Sequence, residues 1–218
     1  MKNNIKNNGF TLLELLVVIG IISLLSTILI GGFASARKNA KALATRTLIS
    51  NIQAGLESYY VVYGDYPPTD LSDLYSGTSN GTNNGIESVV ACLSDQNKGG
   101  PFLLSVSNDK YTNLDGDSCS TAPTNWWFGD TQLREIVDVW NNPFVYFHSR
   151  DYDTPTKGSN YSFTRTGGDA IAPQRDAATA TYYMPLTFQI WSVGPDEKNT
   201  NGLHTRSTNQ DDINNWSQ

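Results

Sequence analysis

Histidine, cysteine and methionine are nearly missing, two of each in 218 residues. Neither His148 nor His204 has a nucleophile motif beside it, and no paired-histidine metal motif, glycine-rich phosphate loop or serine elbow occurs. The chain is therefore not expected to be an enzyme. Positive charge is also short, with 15 Lys and Arg against 21 Asp and Glu and a net charge of −6. That balance argues against a surface made to grip nucleic acid over its whole area. The richness in Asn, Thr, Ser, Gly and Tyr suits an exposed protein with many turns, and the length suits one membrane helix and one globular head.

One stretch lacks charge altogether. From Leu15 to Ala36 there is no ionisable side chain, about the length a helix needs to cross the hydrocarbon core of a bilayer. Glu14 stands just inside this run, where a carboxylate is costly unless something positive meets it. Before it come Gly9 and Phe10, and before those the leader MKNNIKNN, charged only at Lys2 and Lys6. A plain signal anchor would tolerate Glu14 near the membrane surface by snorkelling, but gives no reason for Gly9 and Phe10. An ordinary secretory signal cut after Ala36 is the other reading, since Ala34-Ser35-Ala36 is a small-residue site. Against it, the apolar run exceeds the roughly 7 to 15 residues of a signal h-region and contains an acid. The charge rule does not orient the span, because Arg37, Lys38, Lys41 and Arg46 outweigh Lys2 and Lys6.

The sequence GFTLLE followed by an unbroken apolar helix resembles the N-terminus of the type IV filament superfamily, the type IV pilins and the pseudopilins of type II secretion. The resemblance implies a leader, residues 1–9, removed by a prepilin peptidase between Gly9 and Phe10, and N-methylation of Phe10. It implies that Glu14 pairs with the amine of Phe10 on its own or a neighbouring subunit, setting register in a helical filament. Other copies of the chain, minor pilins or pseudopilins and an inner-membrane assembly platform are the implied partners. A single-pass place in the bacterial inner membrane, with the head outside, follows from the same resemblance.

Residues 10–36 then form the membrane and assembly half of a long helix, and 37–218 the head. Leu48, Ile52, Leu56, Tyr59 and Tyr63 recur at helical spacing with Arg46, Gln53 and Glu57 between them. Gly64 and Pro67-Pro68 stop the helix, which from Phe10 to Tyr63 would span roughly 80 Å. Its closing segment, YYVVYGDYPPTDLSDL, is similar to the pseudopilin pattern. Where many family members carry a proline, Gly31 and Gly32 stand here, to permit local melting or close helix packing.

Cys92 and Cys119, both beyond the span, read as a disulfide of an extracytoplasmic head worth about 3 kcal/mol, or else as two buried thiols. Residues 76–138 form an enlarged variable region. Within it Ser76 to Gly100 reads as a surface loop with a helical turn near Ile86 to Leu93, and Leu133 to Trp140 as a short amphipathic helix. NLDGDS, Asn113 to Ser118, has carboxylates spaced to ligate calcium but reads better as a tight turn. Trp126-Trp127-Phe128 reads as packing or a subunit contact before a sugar platform. In 139–218, VWNNPFVY resembles the family's Trp-Gly-Asn-Pro-aromatic turn. Strand-like runs follow at Phe144 to Ser149, Tyr161 to Thr166 and Tyr182 to Val193.

The last stretch, IWSVGPDEKNTNGLHTRSTNQDDINNW, resembles the calcium loop of major pseudopilins. Carried over by position, Asp196, Asp211 and Asp212 would supply carboxylates and Val193 a backbone carbonyl to a calcium ion. The stretch Glu197 to Gln210 is longer than the family's loop, and a solvated acidic loop closed by Trp216 is the alternative. The expected fold is α+β and pilin-like: one long N-terminal helix, its first half in the membrane, packed on a C-terminal antiparallel sheet. The expected function is a filament subunit, most like the major pseudopilin of type II secretion; the alternatives are a type IV pilus subunit for adhesion, twitching or DNA uptake, and a secreted soluble binding domain cut after Ala36.

Overall fold

A computed structural model describes residues 10–73, 80–103, 105–120, 128–154, 157–162, 169–199, 203–204 and 211–217, with the side chains of 28–32, 169–170 and 203–204 outside that description. Helix α1 is Leu12–Tyr63, and its Gly64 takes φ 78°, the left-handed stop expected there. The chain divides into two units, 1–42 and 43–218.

In the first unit, the large apolar side chains of α1 from Leu12 to Leu25 are exposed. Its hydroxyls need no outside partner: Ser23 donates to the Ile19 carbonyl, Ser26 to Ile22 and Thr27 to Leu24, at 2.7–2.8 Å. Among the described residues no helix is long and apolar enough to cross a membrane, the side chains of 28–32 lying outside that search. Gly31 and Gly32 fall there; α1 runs through both positions.

The second unit is the head. Among the described residues it contains α2 (Asn84–Leu93), four single-turn 3-10 helices and nine short strands. The strands are β1 (Tyr111–Thr112), β2 (Glu135–Ile136), β3 (Val145–His148), β4 (Asn160–Tyr161), β5 (Asp169–Ala170), β6 (Arg175–Asp176), β7 (Phe188–Ser192), β8 (Leu203–His204) and β9 (Ile213–Asn214). The central sheet is antiparallel with order β3-β7-β9, Val145 opposite Trp191 and Trp191 opposite Asn214. Every residue of these three strands is buried, so both faces are covered. Phe147 stacks on Trp191 at 5.9 Å between centroids, and Tyr66 meets Phe188 edge-on at 4.9 Å.

The stripe on α1 buries Thr45, Ile49, Ile52 and Leu56 completely, displaced from the expected set because Leu48, Tyr59 and Tyr63 lie at its half-exposed rim. Gly55 sits on this stripe, where an added Cβ would come within 3.0 Å of the Phe102 carbonyl and 3.3 Å of Leu93. The chain after α1 is pinned to β3: Tyr146 donates its hydroxyl to the Pro67 carbonyl at 2.7 Å, and the His148 amide donates to Thr69 Oγ1 at 2.9 Å.

Several expectations are corrected. Ser76 to Gly100 is not simply a surface loop, because all ten residues of α2 are buried. The helix enters the interior because Gly85 carries no Cβ, which would overlap the Tyr146 carbonyl and the Tyr161 hydroxyl. Leu133 to Trp140 is not a helix: Glu135 and Ile136 pair with Thr112 and Tyr111 as strand β2, and consecutive residues 135–138 are all buried. A helix would have turned half of them outward. Cys92 and Cys119 form no disulfide; both are buried thiols. Cys92 sits on α2 in reach of Tyr59 and Ser88, whereas Cys119 packs with Leu71, Ala91 and Leu133, its thiol 3.4 Å from the Thr131 carbonyl. Of the three expected strand runs, the first is β3, the second is described only at β4 because 163–168 lie outside the described residues, and the third is shortened to β7. Before β7 the chain turns, with Met184 at φ 49°.

The VWNNP turn is built around buried Asp138. Its carboxylate accepts from the Trp140 amide at 2.7 Å, the Asn142 amide at 3.0 Å and Ser192 Oγ at 2.5 Å. Asn142 in turn donates its amide to the Gly194 carbonyl at 3.1 Å. Gly194 has φ 67°, and a Cβ there would lie 2.8 Å from the Asp211 carbonyl. Gly194→Ala is therefore expected to lower stability by about 1–3 kcal/mol, read as a fall in Tm of the purified chain with the spectrum of the native fold retained.

Lys157 reaches Asp73 at 2.6 Å and Asp151 at 3.2 Å, joining the segment after α1 to the turn after β3. Burial raises the Asp151 carboxyl, but bonds from Thr69 and Lys157 outweigh it and hold the group below its ordinary value. A depressed carboxyl contributes stability that is complete above its unfolded pKa near 4 and disappears as pH falls through the folded value. Lys157→Met is expected to cost about 1–3 kcal/mol at pH 7 and to flatten the loss of Tm between about pH 4 and pH 2. An unchanged acid profile would remove Asp151 from the account.

Candidate functional site

The first turn of α1 places the acid of the N-terminal motif. Thr11 is its N-cap: the Glu14 amide donates to Thr11 Oγ1 at 3.2 Å, while Glu14 Oε2 accepts from the Thr11 amide at 2.9 Å and from Thr11 Oγ1 at 2.8 Å. This is the reciprocal capping box of the sequence T-x-x-E, a signal present in TLLE that the charge pattern alone did not bring out. It holds the carboxylate at the positive end of the helix dipole, one residue from the nitrogen of Phe10. Phe10 itself is 76 % exposed. Gly9 and the leader lie outside the described residues.

The C-terminal acidic segment is held at its base by β7 and β9. Val193 is fully buried and Gly194 turns the chain, which sets Asp211 against the Gly194 backbone. Asp196 Oδ1 accepts from the Lys198 amide at 3.0 Å. Burial, then the charges of Asp211 and Asp196, push the Asp212 carboxyl up to about 8, and its Oδ1 is buried without a hydrogen-bond partner. The structure thus brings the three carboxylates into electrostatic contact. They are not the tightest acidic set; among the described residues, the set with one oxygen each within 4.8 Å is Glu87, Asp115 and Glu135. Residues 200–202 and 205–210 of the loop lie outside the described residues. Trp216 packs as expected, stacked on Tyr183 at 5.2 Å and edge-on to Trp191 at 5.6 Å.

NLDGDS is the tight turn expected of it, Asn113 Oδ1 accepting from the amides of Gly116 at 2.8 Å and Asp117 at 3.1 Å. Its approach to Glu87 and Glu135 was hidden, because those residues lie 28 positions before Asp115 and 20 after it in the chain. His148 Nε2 lies 2.9 Å from Asp65, which also takes Arg150 at 2.9 Å. Trp126 and Trp127 lie outside the described residues, and Phe128 stacks under the Arg134 guanidinium at 4.4 Å and meets Tyr111 edge-on.

Residues 4–30 match the family model described as the prokaryotic N-terminal methylation motif. No curated protein and no solved structure matches the chain. The matched segment covers residues 4–9 of the expected leader, the Gly9-Phe10 junction, the capping box and the first turns of the exposed apolar helix, and the chain has the α+β layout of a long helix followed by an antiparallel sheet. The chain thus carries the prepilin-type methylation motif, which supports a place in the type IV pilin and pseudopilin superfamily.

Proposed function

We propose that this chain is a structural subunit of a secretion pseudopilus, made as a membrane-anchored precursor and assembled into a helical filament. The observation that carries the reading is the methylation motif running into a helix whose apolar surface is exposed from Leu12 to Leu25. Such a surface needs a bilayer before assembly and neighbouring helices after it.

In the uncut chain Glu14 is satisfied by Thr11 through Oε2. Cutting between Gly9 and Phe10 turns the nitrogen of Phe10 into a terminal ammonium, and at low dielectric that charge attracts the carboxylate strongly. Oε1 is the oxygen left for it, on the same or a neighbouring subunit. Prepilin peptidase, an inner-membrane assembly platform, further copies of the chain and minor pseudopilins are the partners this requires. The secretory alternative is disfavoured because Ala34, Ser35 and Ala36 lie inside α1, a backbone that presents no extended site for cleavage.

The pseudopilin is preferred over the pilus subunit because the VWNNP turn is tied to the base of the acidic C-terminal loop. The Asn142 side chain donates to the Gly194 carbonyl, and the Asp211 backbone packs close against Gly194. A calcium ion taken by Asp196, Asp211, Asp212 and the Val193 carbonyl would supply the positive charge that the buried Asp212 lacks.

The test is a host strain without the chain, complemented with wild type or Glu14→Ala. Secreted enzymes are expected to accumulate in the periplasm, wild type to restore export and Glu14→Ala to fail. Normal export with loss of long surface fibres would instead assign the chain to a type IV pilus; loss of neither would sink the filament reading.

A further inference from the structure

Four carboxylates meet in the head, away from the C-terminal loop. Glu87 comes from the first turn of α2, Asp115 and Asp117 from the Asn113–Asp117 turn, and Glu135 from β2. One oxygen each from Glu87, Asp115 and Glu135 lie within 4.8 Å of one another. Oxygens that share one calcium ion at about 2.3–2.6 Å stand no more than about 5 Å apart, so this spacing fits a common ion.

The second observation is Glu87 itself. It is 1 % exposed, and among the described residues its carboxyl meets no N–H or cationic donor, only the carboxyl of another acid, Asp117. Both oxygens of Asp115 and Oδ1 of Asp117 are buried in the same state, which makes five carboxylate oxygens without an N–H or cationic donor in one place. By contrast, Glu135 accepts from Asn83 Nδ2 at 2.9 Å and the Leu114 amide at 3.0 Å, and Asp117 Oδ2 from the Asn80 amide at 3.2 Å. Those bonds hold the two acids in position while leaving the centre unpaired.

Among the described residues no ion pair reaches any of the four, and the nearby Arg134 is engaged by Asp130 at 2.7 Å. Burial, then the charges of Asp117, Asp115 and Glu135, drive the Glu87 carboxyl up to about 10. Burial first raises Glu135 to about 7 and Asp117 to about 6. Buried carboxylates this close together with no cation beside them repel one another, and a cation at their centre would offset that.

We propose that Glu87, Asp115, Asp117 and Glu135 form a calcium site that ties α2, the 113–117 turn and β2 together. The donors are all oxygen, which selects a hard cation, and they come from three elements in an irregular arrangement that suits calcium better than octahedral magnesium. The half-exposed turn residues Asp115 and Asp117 give the ion its way in. The site would fix the enlarged middle region of the head, which is otherwise held by two-residue strands. It does not depend on the filament reading or on an ion in the C-terminal loop.

The experiment uses the full chain in detergent micelles, stripped with chelator and titrated with calcium by calorimetry and thermal melting. Calcium is expected to raise Tm by about 5 °C or more at 100 times its Kd. Glu87→Gln and Asp115→Asn should each lose this rise, with the calcium-free Tm of Glu87→Gln equal to or above wild type because the cost of keeping a buried carboxyl protonated at neutral pH is gone. Asp212→Asn should keep it, which separates this site from the C-terminal loop. Should Glu87→Gln not fold, Asp115→Asn at the half-exposed turn carries the same test. Absence of any shift or heat in wild type at about 10 mM calcium, above the range of extracellular calcium modules, would overturn the proposal. So would a rise that survives both Glu87→Gln and Asp115→Asn.

Discussion

An apolar helical surface that must be covered is the constraint on which everything else in this chain depends. Leu12, Leu13, Leu15, Leu16 and the residues through Leu25 expose between 42 and 82 % of their surface. No single polar handle interrupts them that is not already satisfied, since Ser23, Ser26 and Thr27 return their hydroxyls to the helix. Glu14 is the exception in charge, and its capping box makes that charge tolerable at the helix end. The cap bonds the carboxylate to Thr11, the residue that follows Phe10. In the filament function proposed above, the same acid would serve as a register mark.

The head is organised by buried carboxylates, and what each one meets decides its role. Asp138 receives three donors and becomes the anchor of the VWNNP turn. Asp151 receives Lys157 and Thr69 and becomes the clasp between the segment after α1 and β3. Among the described residues Glu87 receives no N–H or cationic donor, and Asp212 keeps an oxygen without a partner. A buried acid with no donor costs several kcal/mol unless it is neutralised, so these two positions are where an ion has most to offer. One lies in the enlarged middle region and the other at the end of the chain, and both close loops that short strands alone hold weakly.

How much of this the sequence discloses depends on how local the physics is. The end of α1 at Gly64, the prolines after it, β3 and the turn before it are set by a few adjacent residues, and all were legible. The long-range features were not. The helical turn near Ile86 to Leu93 was legible, but the burial of the whole of α2 was not, because it depends on Gly85 meeting Tyr146, 61 positions away. Leu133 to Trp140 showed apolar residues at spacing that suits a helix, yet pairing with Thr112 and Tyr111 makes Glu135–Ile136 a strand with both residues buried. The cysteines suggested a bond by number and compartment, while the fold sends them to different neighbours around α2. The convergence of Glu87 on NLDGDS is of the same kind, invisible until three separate elements are brought together.

The most direct measurement of the central claim is the mass of the N-terminal peptide of the protein taken from its native host. The account predicts a chain that begins at Phe10 and carries one additional methyl group on its nitrogen. A chain that begins at Arg37, cut behind Ala36, would contradict it and leave a secreted domain without the helix on which the filament reading rests.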